Sequence, residues 1–247
     1  MLCLGVGLPL ASTAYITDPN ALWNVVHNLC VPNEERFGVA IPCQLVDFRN
    51  GYVVLKDLVG HSHFLVIPTA RVTGIESPVL RASDAPNYFA RAWRARTYVE
   101  HALDQTLPRD DIVLAVNSAS ARTQNQLHIH IDCVRADVRT ALHQHEATIR
   151  DSWAPLGFLL VGHRYMAMKV EDEQLDRVNP FKALADGMPG ARDDIRYHTL
   201  VVIGATFTAD HPGFIILDDH ADLATGDSAS GEELQDHTCA IAKPWSE

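Results

Sequence analysis

The strongest constraint on the fold is the segment Gln124–Asp132, in which ionisable residues alternate with branched apolar residues. Alternation with a period of two is typical of a β-strand that has one face against a core. The branched apolar residues therefore face the core, and His128, His130 and Asp132 share the opposite face. Three ionisable groups on one strand face are costly to bury, so we expect this face to border a polar site.

The composition is that of a globular chain of 247 residues, of which 47% are hydrophobic and 21% are charged. This length can bury one substantial core or two small packed layers. The formal net charge of −11 argues against a nucleic-acid partner, since proteins that bind nucleic acids normally carry a basic patch. Several arginines are nevertheless concentrated in the first half, where an anionic substrate would meet positive charge: Arg71, Arg81, Arg91, Arg94, Arg96 and Arg122.

The five cysteines include no Cys-x-x-Cys pair, which argues against a zinc ribbon. Cys30 and Cys43 flank a short loop that contains Pro42. Two cysteines at this spacing can form a disulfide in an oxidising compartment. Two buried free thiols are the alternative that the sequence leaves open.

Residues 1–14 form a run of apolar and small residues. The run is too short to span a bilayer alone, which takes about 20 residues. It resembles the end of a signal-peptide apolar region with a Ser12-x-Ala14 site, although the basic leader is missing. A loosely packed terminus is the alternative. We interpret residues 1–17 as a truncated signal or anchor segment.

Hydrophobic periodicity and turn residues predict an alternation of helices and short strands. The tail from residue 153 onward repeats part of this order, which indicates either an internal duplication with one inactive half or an unrelated extension of the same sheet. The predicted elements are a helix over 21–30, a hairpin of strands 52–56 and 63–67, a helix from Ser83 or Asp84 to about 107, a strand over 112–116, the histidine strand, a helix from 136 or 137 to about 150, and tail strands near 162–170, 199–203 and 214–217.

Three interpretations of the histidine strand compete. His128, His130 and Asp132 could ligate a metal through two nitrogens and an oxygen, but no further ligands are evident. The histidines could instead be satisfied by ordinary hydrogen bonds. The interpretation we favour is nucleophilic catalysis on phosphorus, because a neutral imidazole is a good nucleophile when its other nitrogen donates to a fixed acceptor. The polar loop 117–125 precedes the strand and offers donors for phosphate oxygens.

These residues resemble the histidine-triad (HIT) superfamily of nucleotide hydrolases and transferases. The resemblance rests on the segment His63–Pro68, then Asn117, then Gln124, then His128-Ile129-His130. The step of eleven residues from Asn117 to His128 matches the loop of that family. The match covers roughly residues 45 to 135, and it is more specific than a pair of histidines alone.

The resemblance implies a role for each matching residue. His130 corresponds to the family's nucleophile, and His128 to the histidine that supports and orients it. Asp132, which stands in place of the third histidine, is expected to orient water in a second step. The resemblance places Asn117, Gln124 and Asn125 at the phosphates and Asp57 near the ribose position. We also expect Arg122 and Thr123 to hold the phosphates, and Lys56 to contact the substrate.

The departure at Asp132 constrains the leaving group, because the third histidine of the family helps that group depart. A carboxylate there repels phosphate unless it is protonated or paired, and Arg122 is the candidate partner. Asp132 therefore favours a leaving group that needs little protonation. A phosphomonoester fits this requirement, because its second pKa is about 6.

A narrower resemblance, to the bacterial CDP-diacylglycerol pyrophosphatases, spans most of the chain. These HIT-like enzymes hydrolyse CDP-diacylglycerol to CMP and phosphatidate, and members usually carry an N-terminal membrane anchor. The leaving phosphatidate is a phosphomonoester, in agreement with the argument from Asp132. The segments that carry the resemblance are 21–23, 30–33, 51–57, 75–78 and 122–130.

The resemblance implies an α+β fold built on a HIT-like antiparallel sheet with flanking helices. Residues 18–150 would form the catalytic half, and residues 151–247 a second, degenerate half or a sheet extension. We expect a CDP-diacylglycerol diphosphatase that forms a cytidylyl-histidine intermediate and needs no cofactor or metal.

The same resemblance implies contact with a membrane surface, an N-terminal anchor in the bacterial inner membrane and a periplasmic catalytic domain. A homodimer is also compatible with it. Two other functions stay open: a HIT-type hydrolase or nucleotidyltransferase for soluble nucleotides, and a nucleotide-binding or metal-binding module without catalysis.

Overall fold

The computed structural model describes residues 18–242, so the predicted anchor segment 1–17 lies outside the described residues. Within residues 18–242, nine strands form a single sheet. The strands are β1 (Leu45–Asp47), β2 (Tyr52–Lys56), β3 (Phe64–Pro68), β4 (Ile112–Val116), β5 (Ile129–Cys133), β6 (Ala154–Leu160), β7 (His163–Val170), β8 (Leu200–Phe207) and β9 (His211–Asp218). Their order across the sheet is β1-β2-β3-β5-β4-β8-β9-β7-β6, and all neighbours are antiparallel.

Helices flank this sheet, so the predicted α+β class is confirmed. Whether the sheet is HIT-like stays a prediction. The helices are α1 (Ala21–Val25), α2 (Val31–Phe37), α3 (Tyr88–Ala95), α4 (Thr97–Leu103), α5 (Ala136–His145), α6 (Pro180–Gly187) and α7 (Ala191–Asp194).

The central strand β4 is buried on both faces. Ile112 and Leu114 belong to the larger core, which α3 and α6 cover, whereas Val113 and Ala115 belong to a second core on the other face, which α5 covers. A strand buried on both sides needs apolar residues at every position, and this explains the unbroken run Ile112–Val116. The polar residues of the neighbouring strand β5 lie on the face of Ala115.

The first helix departs from its prediction in length. A π-helical segment, Val26–Cys30, joins α1 to α2, so the helical chain continues to Phe37 and does not end at Cys30. The wider turn of a π-helix shifts the side chains that follow it. Cys30, the last residue of this segment, is buried. Cys30 forms a disulfide with Cys43, with their Cα atoms 5.5 Å apart. The alternative of two free thiols is therefore wrong.

Two other predicted helices end or begin elsewhere. The helix predicted from Ser83 or Asp84 begins at Tyr88 and is interrupted at Arg96. Its start is capped by Asn87, whose side-chain oxygen accepts a hydrogen bond of 3.1 Å from the backbone N–H of Ala90. The helix predicted to reach residue 150 ends at His145, and a short 3-10 turn follows it.

The second half of the chain extends the sheet outward from its centre. β4 pairs with β8, with Val113 opposite Ile203. From this pair the order β4-β5-β3-β2 runs in one direction and β8-β9-β7-β6 in the other. An internal duplication would produce this arrangement. The duplication itself and the division at residue 150 stay predictions.

The chain then returns to the first half through residues 231–239, here called the return segment. Gly231–Leu234 forms a 3-10 turn that packs so closely on the sheet that a Cβ on Gly231 would lie 2.9 Å from a methyl group of Val201. Gln235 forms a β-bridge with Val134. A second disulfide, Cys133–Cys239, fastens the end of the segment to β5.

We expect the double substitution Cys133→Ala/Cys239→Ala to lower the free energy of unfolding by about 3–4 kcal/mol, because the disulfide closes a long loop and restricts the unfolded chain. The two cysteines are 106 residues apart, whereas Cys30 and Cys43 are separated by 13. The matched control Cys30→Ala/Cys43→Ala should therefore cost less. Urea unfolding of the oxidised proteins measures both values, and a larger loss in the control would contradict the expectation.

Candidate active site

His130 lies near the middle of the sheet, on β5. It is placed opposite Leu65 of β3 and Ala115 of β4. The predicted strand is confirmed only over Ile129–Cys133, with His130 and Asp132 on one face of it, whereas residues 124–128, including His128, precede the strand. All three are buried, and His130 is only 4% exposed. The return segment covers this face. Its side chains Glu232 and His237 contact His130 and Asp132 and so offset the cost of burying these two groups.

One nitrogen of His130 is held by another histidine. The Nδ1 atom of His130 lies 2.9 Å from Nε2 of His63. If His130 is to attack through Nε2, its Nδ1 must carry the proton and donate it to His63. His63 then carries its own proton on Nδ1, which lies 3.9 Å from a carboxylate oxygen of Asp57. At 3.9 Å this contact is not a hydrogen bond, and Nδ1 of His63 has no hydrogen-bond partner, so the tautomer of His130 rests on the contact with His63 alone.

The other candidate supports of His130 occupy different positions. The ring of His128 packs edge-on against the ring of His130, with centroids 4.7 Å apart, and its Nδ1 lies 2.6 Å from the backbone oxygen of Gln126. The orienting role of His128 stays a prediction, as does a ribose contact by Asp57. In the structure it is His63 that contacts a ring nitrogen of the candidate nucleophile.

The second nitrogen of His130 faces a carboxylate. Oε1 of Glu232 lies 3.3 Å from Nε2 of His130, and Nε2 forms no hydrogen bond. The same Oε1 accepts a hydrogen bond from the side-chain amide of Asn117. The sequence led us to expect an open pocket lined by donors at this nitrogen, and the structure places an acceptor there instead.

Asp132 is fully buried and is satisfied by three donors. Its oxygens accept hydrogen bonds from Ser62 Oγ at 3.1 Å and from the backbone N–H of Cys133 at 2.8 Å, and they contact His237 Nδ1 at 2.8 Å. The ring of His237 also stacks on His63, with centroids 4.5 Å apart. The carboxylate of Asp132 is therefore engaged by donors of the protein itself, with His237 among them.

The predicted pairing of Asp132 with Arg122 is wrong. Arg122 forms a bidentate ion pair with Glu76, with distances of 2.6 and 2.7 Å. Gln124 accepts from the backbone N–H of Leu22 at 2.9 Å and donates to the backbone oxygen of Asp18 at 3.0 Å. In the structure, these two side chains fasten neighbouring loops.

The other predicted substrate contacts also have partners or positions within the protein. Lys56 Nζ donates to the backbone oxygens of Asp57 and Gly60 at 2.8 and 2.7 Å. The backbone N–H of Asn125 donates to Pro19 at 2.6 Å. Phosphate or ribose contacts by Lys56, Arg122, Thr123, Gln124 and Asn125 stay predictions, and Asn117 is the predicted residue that lies beside the free nitrogen of His130.

The electrostatic environment separates the histidines into two groups. Burial lowers the pKa of His130 well below its ordinary value, and neighbouring histidines lower it further. Burial likewise lowers the pKa of His63 and of His128. By contrast, the hydrogen bond to Asp132 raises the pKa of His237. The site therefore combines a candidate nucleophile whose uncharged form is favoured by burial with a histidine whose charged form is stabilised by Asp132.

These opposite shifts predict opposite contributions to the pH dependence of stability. Unfolded His130 binds a proton near its ordinary pKa of 6.5, while folded His130 does not, so the free energy of unfolding falls as the pH drops below 6.5. One such group contributes a slope of up to about 1.4 kcal/mol per pH unit. The substitution His130→Gln should flatten the acid limb of stability.

The control for this prediction is His237→Gln. Because the folded pKa of His237 is raised, its stabilisation is complete below 6.5 and is lost as the pH rises through the folded pKa. Its removal should therefore leave the slope below pH 6.5 unchanged and abolish the loss of stability that His237 contributes as the pH rises above 6.5. Urea unfolding between pH 5 and pH 8 measures both slopes, and equal changes in the two variants would contradict the assignment.

Side chains of this site could also hold a cation. Two sets bring their donor atoms close together: Asp57, His63 and His130, and His63, Asp132 and His237. Hydrogen bonds already engage His63 with His130 and Asp132 with His237. The alternative of a metal-binding module stays open on this geometry.

Sequence reasoning missed three residues of the site. His63 carried a signal, because it begins the motif His63–Pro68, but no role was assigned to it. Glu232 and His237 carried none. They reach β5 because residues 231–239 fold back across the sheet, and a pairing over so long a separation leaves no local pattern in the sequence.

Within residues 18–242, no helix combines the length and the apolar character needed to cross a bilayer. The segment predicted to serve as an anchor lies before these residues. Its role as an anchor therefore stays a prediction.

Comparisons with known proteins agree on one family. The family model described as CDP-diacylglycerol pyrophosphatase matches residues 17–243. A protein of Yersinia pestis named CDP-diacylglycerol pyrophosphatase is 41% identical over 227 residues, which are 91% of this chain and 86% of the relative. Among solved structures, Hnt3 matches 43% of this chain and 61% of its own, with 18% identity and a TM-score of 0.26. That likeness is too weak to bear on the fold.

Proposed function

Because the chain belongs to the CDP-diacylglycerol pyrophosphatase family, and is thus a hydrolase, we propose that it splits the pyrophosphate bond of CDP-diacylglycerol to give CMP and phosphatidate. The observation that supports a mechanism is the hydrogen bonding and protonation of the His130 ring. Its Nδ1 is held by His63, and its Nε2 forms no hydrogen bond. Burial keeps the ring uncharged by lowering its pKa, so the Nε2 lone pair can attack phosphorus.

In the first step, Nε2 of His130 attacks the phosphorus that carries cytidine. The new nitrogen–phosphorus bond forms as the bond from this phosphorus to the bridging oxygen breaks. Phosphatidate leaves with the electron pair, and it needs no proton to do so because the second pKa of a phosphomonoester is about 6. The proton on Nδ1 remains between His130 and His63, which stabilises the positive ring of the cytidylyl-histidine.

The position of Glu232 marks where a phosphate oxygen would bind. Its Oε1 lies between the side-chain amide of Asn117 and Nε2 of His130. A non-bridging phosphate oxygen at this point would accept the same hydrogen bond from Asn117 and would bring phosphorus within reach of Nε2. The substrate must therefore displace the carboxylate of Glu232 before the first step.

In the second step, Glu232 returns as the general base. It takes a proton from water as the oxygen of that water attacks the phosphorus, and the bond to Nε2 breaks to release CMP. Asp132 was expected to orient the water of this step, but it is completely buried and already accepts from three donors. We propose that Asp132 acts instead as a positioning residue, which holds His237 in its charged form beside the departing phosphate.

The substrate class and the attacked phosphorus can be tested together. The purified protein should release CMP and phosphatidate in equal amounts from CDP-diacylglycerol in detergent micelles. In water enriched with oxygen-18, the label should enter CMP, whereas attack on the other phosphorus would place it in phosphatidate. Faster turnover of dinucleoside polyphosphates or CDP-alcohols would favour the alternative of a hydrolase for soluble nucleotides.

We also propose a periplasmic location, with residues 1–17 as the attachment to the bacterial inner membrane. The two disulfides, Cys30–Cys43 and Cys133–Cys239, support an oxidising compartment. Fractionation of cells that express the chain with and without residues 1–17 tests the attachment. Equal recovery of both forms in the aqueous fraction would contradict it.

A further inference from the structure

A second cluster of ionisable side chains lies on the other side of the 3-10 turn Gly231–Leu234. His163 begins β7, and Asp219 follows the end of β9, its neighbour in the sheet. Asp227 and Glu233 approach from the chain that follows. From Nδ1 of His163 the distances are 2.9 Å to Glu233 Oε1, 3.7 Å to Asp227 Oδ2 and 3.9 Å to Asp219 Oδ2.

This cluster contains buried polar atoms without hydrogen bonds. Asp219 is 6% exposed. Its Oδ1 accepts from the backbone N–H of His220 at 2.8 Å, but its Oδ2 has no hydrogen bond, and neither has Nδ1 of His163. A buried polar atom without a hydrogen bond destabilises the folded protein, because it has lost its contact with water and gained no partner. Burial, with a contribution from Asp227, also raises the pKa of Asp219 to about 7.

A neighbouring cluster provides a useful contrast. Asp194, His198 and His220 also lie close together. There, His198 contacts Asp218 at 2.8 Å and Asp194 at 3.2 Å, and His220 contacts Asp194 at 3.1 Å. These rings already have carboxylate partners, so this cluster needs no additional ligand.

We propose that His163, Asp219, Asp227 and Glu233 bind a divalent transition-metal cation of the Mn²⁺ or Zn²⁺ class. The donor set is one imidazole nitrogen and up to three carboxylate oxygens, a mixture that suits these ions. Ligand atoms about 2.1 Å from an ion lie roughly 3–3.5 Å from one another, close to the distances from His163. A cleft of about 650 Å³ opens onto His163, Asp219 and Asp227, which gives an ion access from solvent.

The bound ion would act on the return segment. Glu233 contacts His163, while the adjacent residue, Glu232, contacts His130. The hydroxyl of Tyr165 also donates to Glu233, at 2.6 Å. An ion at this cluster therefore fixes the turn that carries Glu232. Binding of the ion does not depend on the proposed reaction. An experiment can therefore refute the ion site without refuting the proposed function, and the reverse.

Titration calorimetry with MnCl₂, on protein dialysed against a chelator, tests the proposal. We expect one Mn²⁺ per chain and a rise in Tm at millimolar Mn²⁺. Asp219→Asn and His163→Gln should each raise Kd at least tenfold and abolish the rise in Tm. The matched control Asp194→Asn, in the neighbouring cluster, should leave Kd unchanged.

Far-ultraviolet circular dichroism without metal establishes that each variant is folded, and His163→Gln, at a partly exposed side chain, serves if Asp219→Asn does not fold. A wild-type protein that binds neither Mn²⁺ nor Zn²⁺ would overturn the proposal. So would binding that survives His163→Gln but is lost in Asp194→Asn.

Discussion

Replacing His130 by alanine is expected to lower kcat for CDP-diacylglycerol hydrolysis by about 10⁴-fold or more, the scale seen when a catalytic nucleophile is removed. The two neighbouring rings are held in other positions: His63 Nε2 is aimed at His130, and His128 Nδ1 lies at the backbone oxygen of Gln126. The substitution leaves one buried nitrogen of His63 without a partner, which costs about 1–3 kcal/mol. The protein should therefore fold and fail to turn over.

The matched control is His143→Ala, at an exposed histidine of α5, which should keep full activity. Substrate labelled on the phosphorus next to cytidine gives a second readout. After rapid quenching, the wild type and the control should retain an acid-labile label on the protein, and His130→Ala should retain none. Full residual activity in His130→Ala would contradict the proposed mechanism.

The substitution Glu232→Gln is expected to separate the two chemical steps. An amide can occupy the same space beside Asn117 and His130, but it cannot take a proton from water. The first step should then proceed, while hydrolysis of the cytidylyl-histidine slows by about 10³-fold, within the usual range for a general base. The labelled intermediate should accumulate to nearly one per chain.

Rapid-quench measurements should show a burst of phosphatidate equal to the enzyme concentration, followed by slow release of CMP. The control Glu35→Gln, at an exposed position of α2, should show wild-type kinetics. If Glu232→Gln slows phosphatidate and CMP equally and gives no burst, Glu232 is not the base of the second step. In that case its role would be limited to covering His130 before the substrate arrives.

The part of the site that lies on β5 was predictable because its signal is local. Alternation from Leu127 to Asp132 placed His130 and Asp132 on one strand face, and the structure has a strand there that begins at Ile129. Register and neighbours were not predictable in the same way. The partner of Asp132 is His237 and that of Arg122 is Glu76, and nothing near Asp132 or Arg122 in the sequence distinguishes these partners from others.

In the fold, too, features with a local sequence signal could be predicted and features set by distant contacts could not. Strands with apolar residues at every position, such as β4, and the hairpin β2–β3 could be predicted from composition and turns. The π-helical segment Val26–Cys30 could not, because it depends on how the helix is fixed by the Cys30–Cys43 disulfide and the sheet beneath it. The path of residues 231–239 is likewise set by packing and by a distant cysteine.

That path has an evolutionary consequence. In the proposed mechanism, the nucleophile His130 comes from the middle of the described chain and Glu232 from near its end, so residues 18–150 alone would lack the proposed base even if they folded. A gene that lost its 3′ portion would, on this proposal, encode the nucleophile without its base. The latter half would then be needed as a donor of side chains, even though Ile215 and Leu217 stand there where a second pair of histidines would be needed.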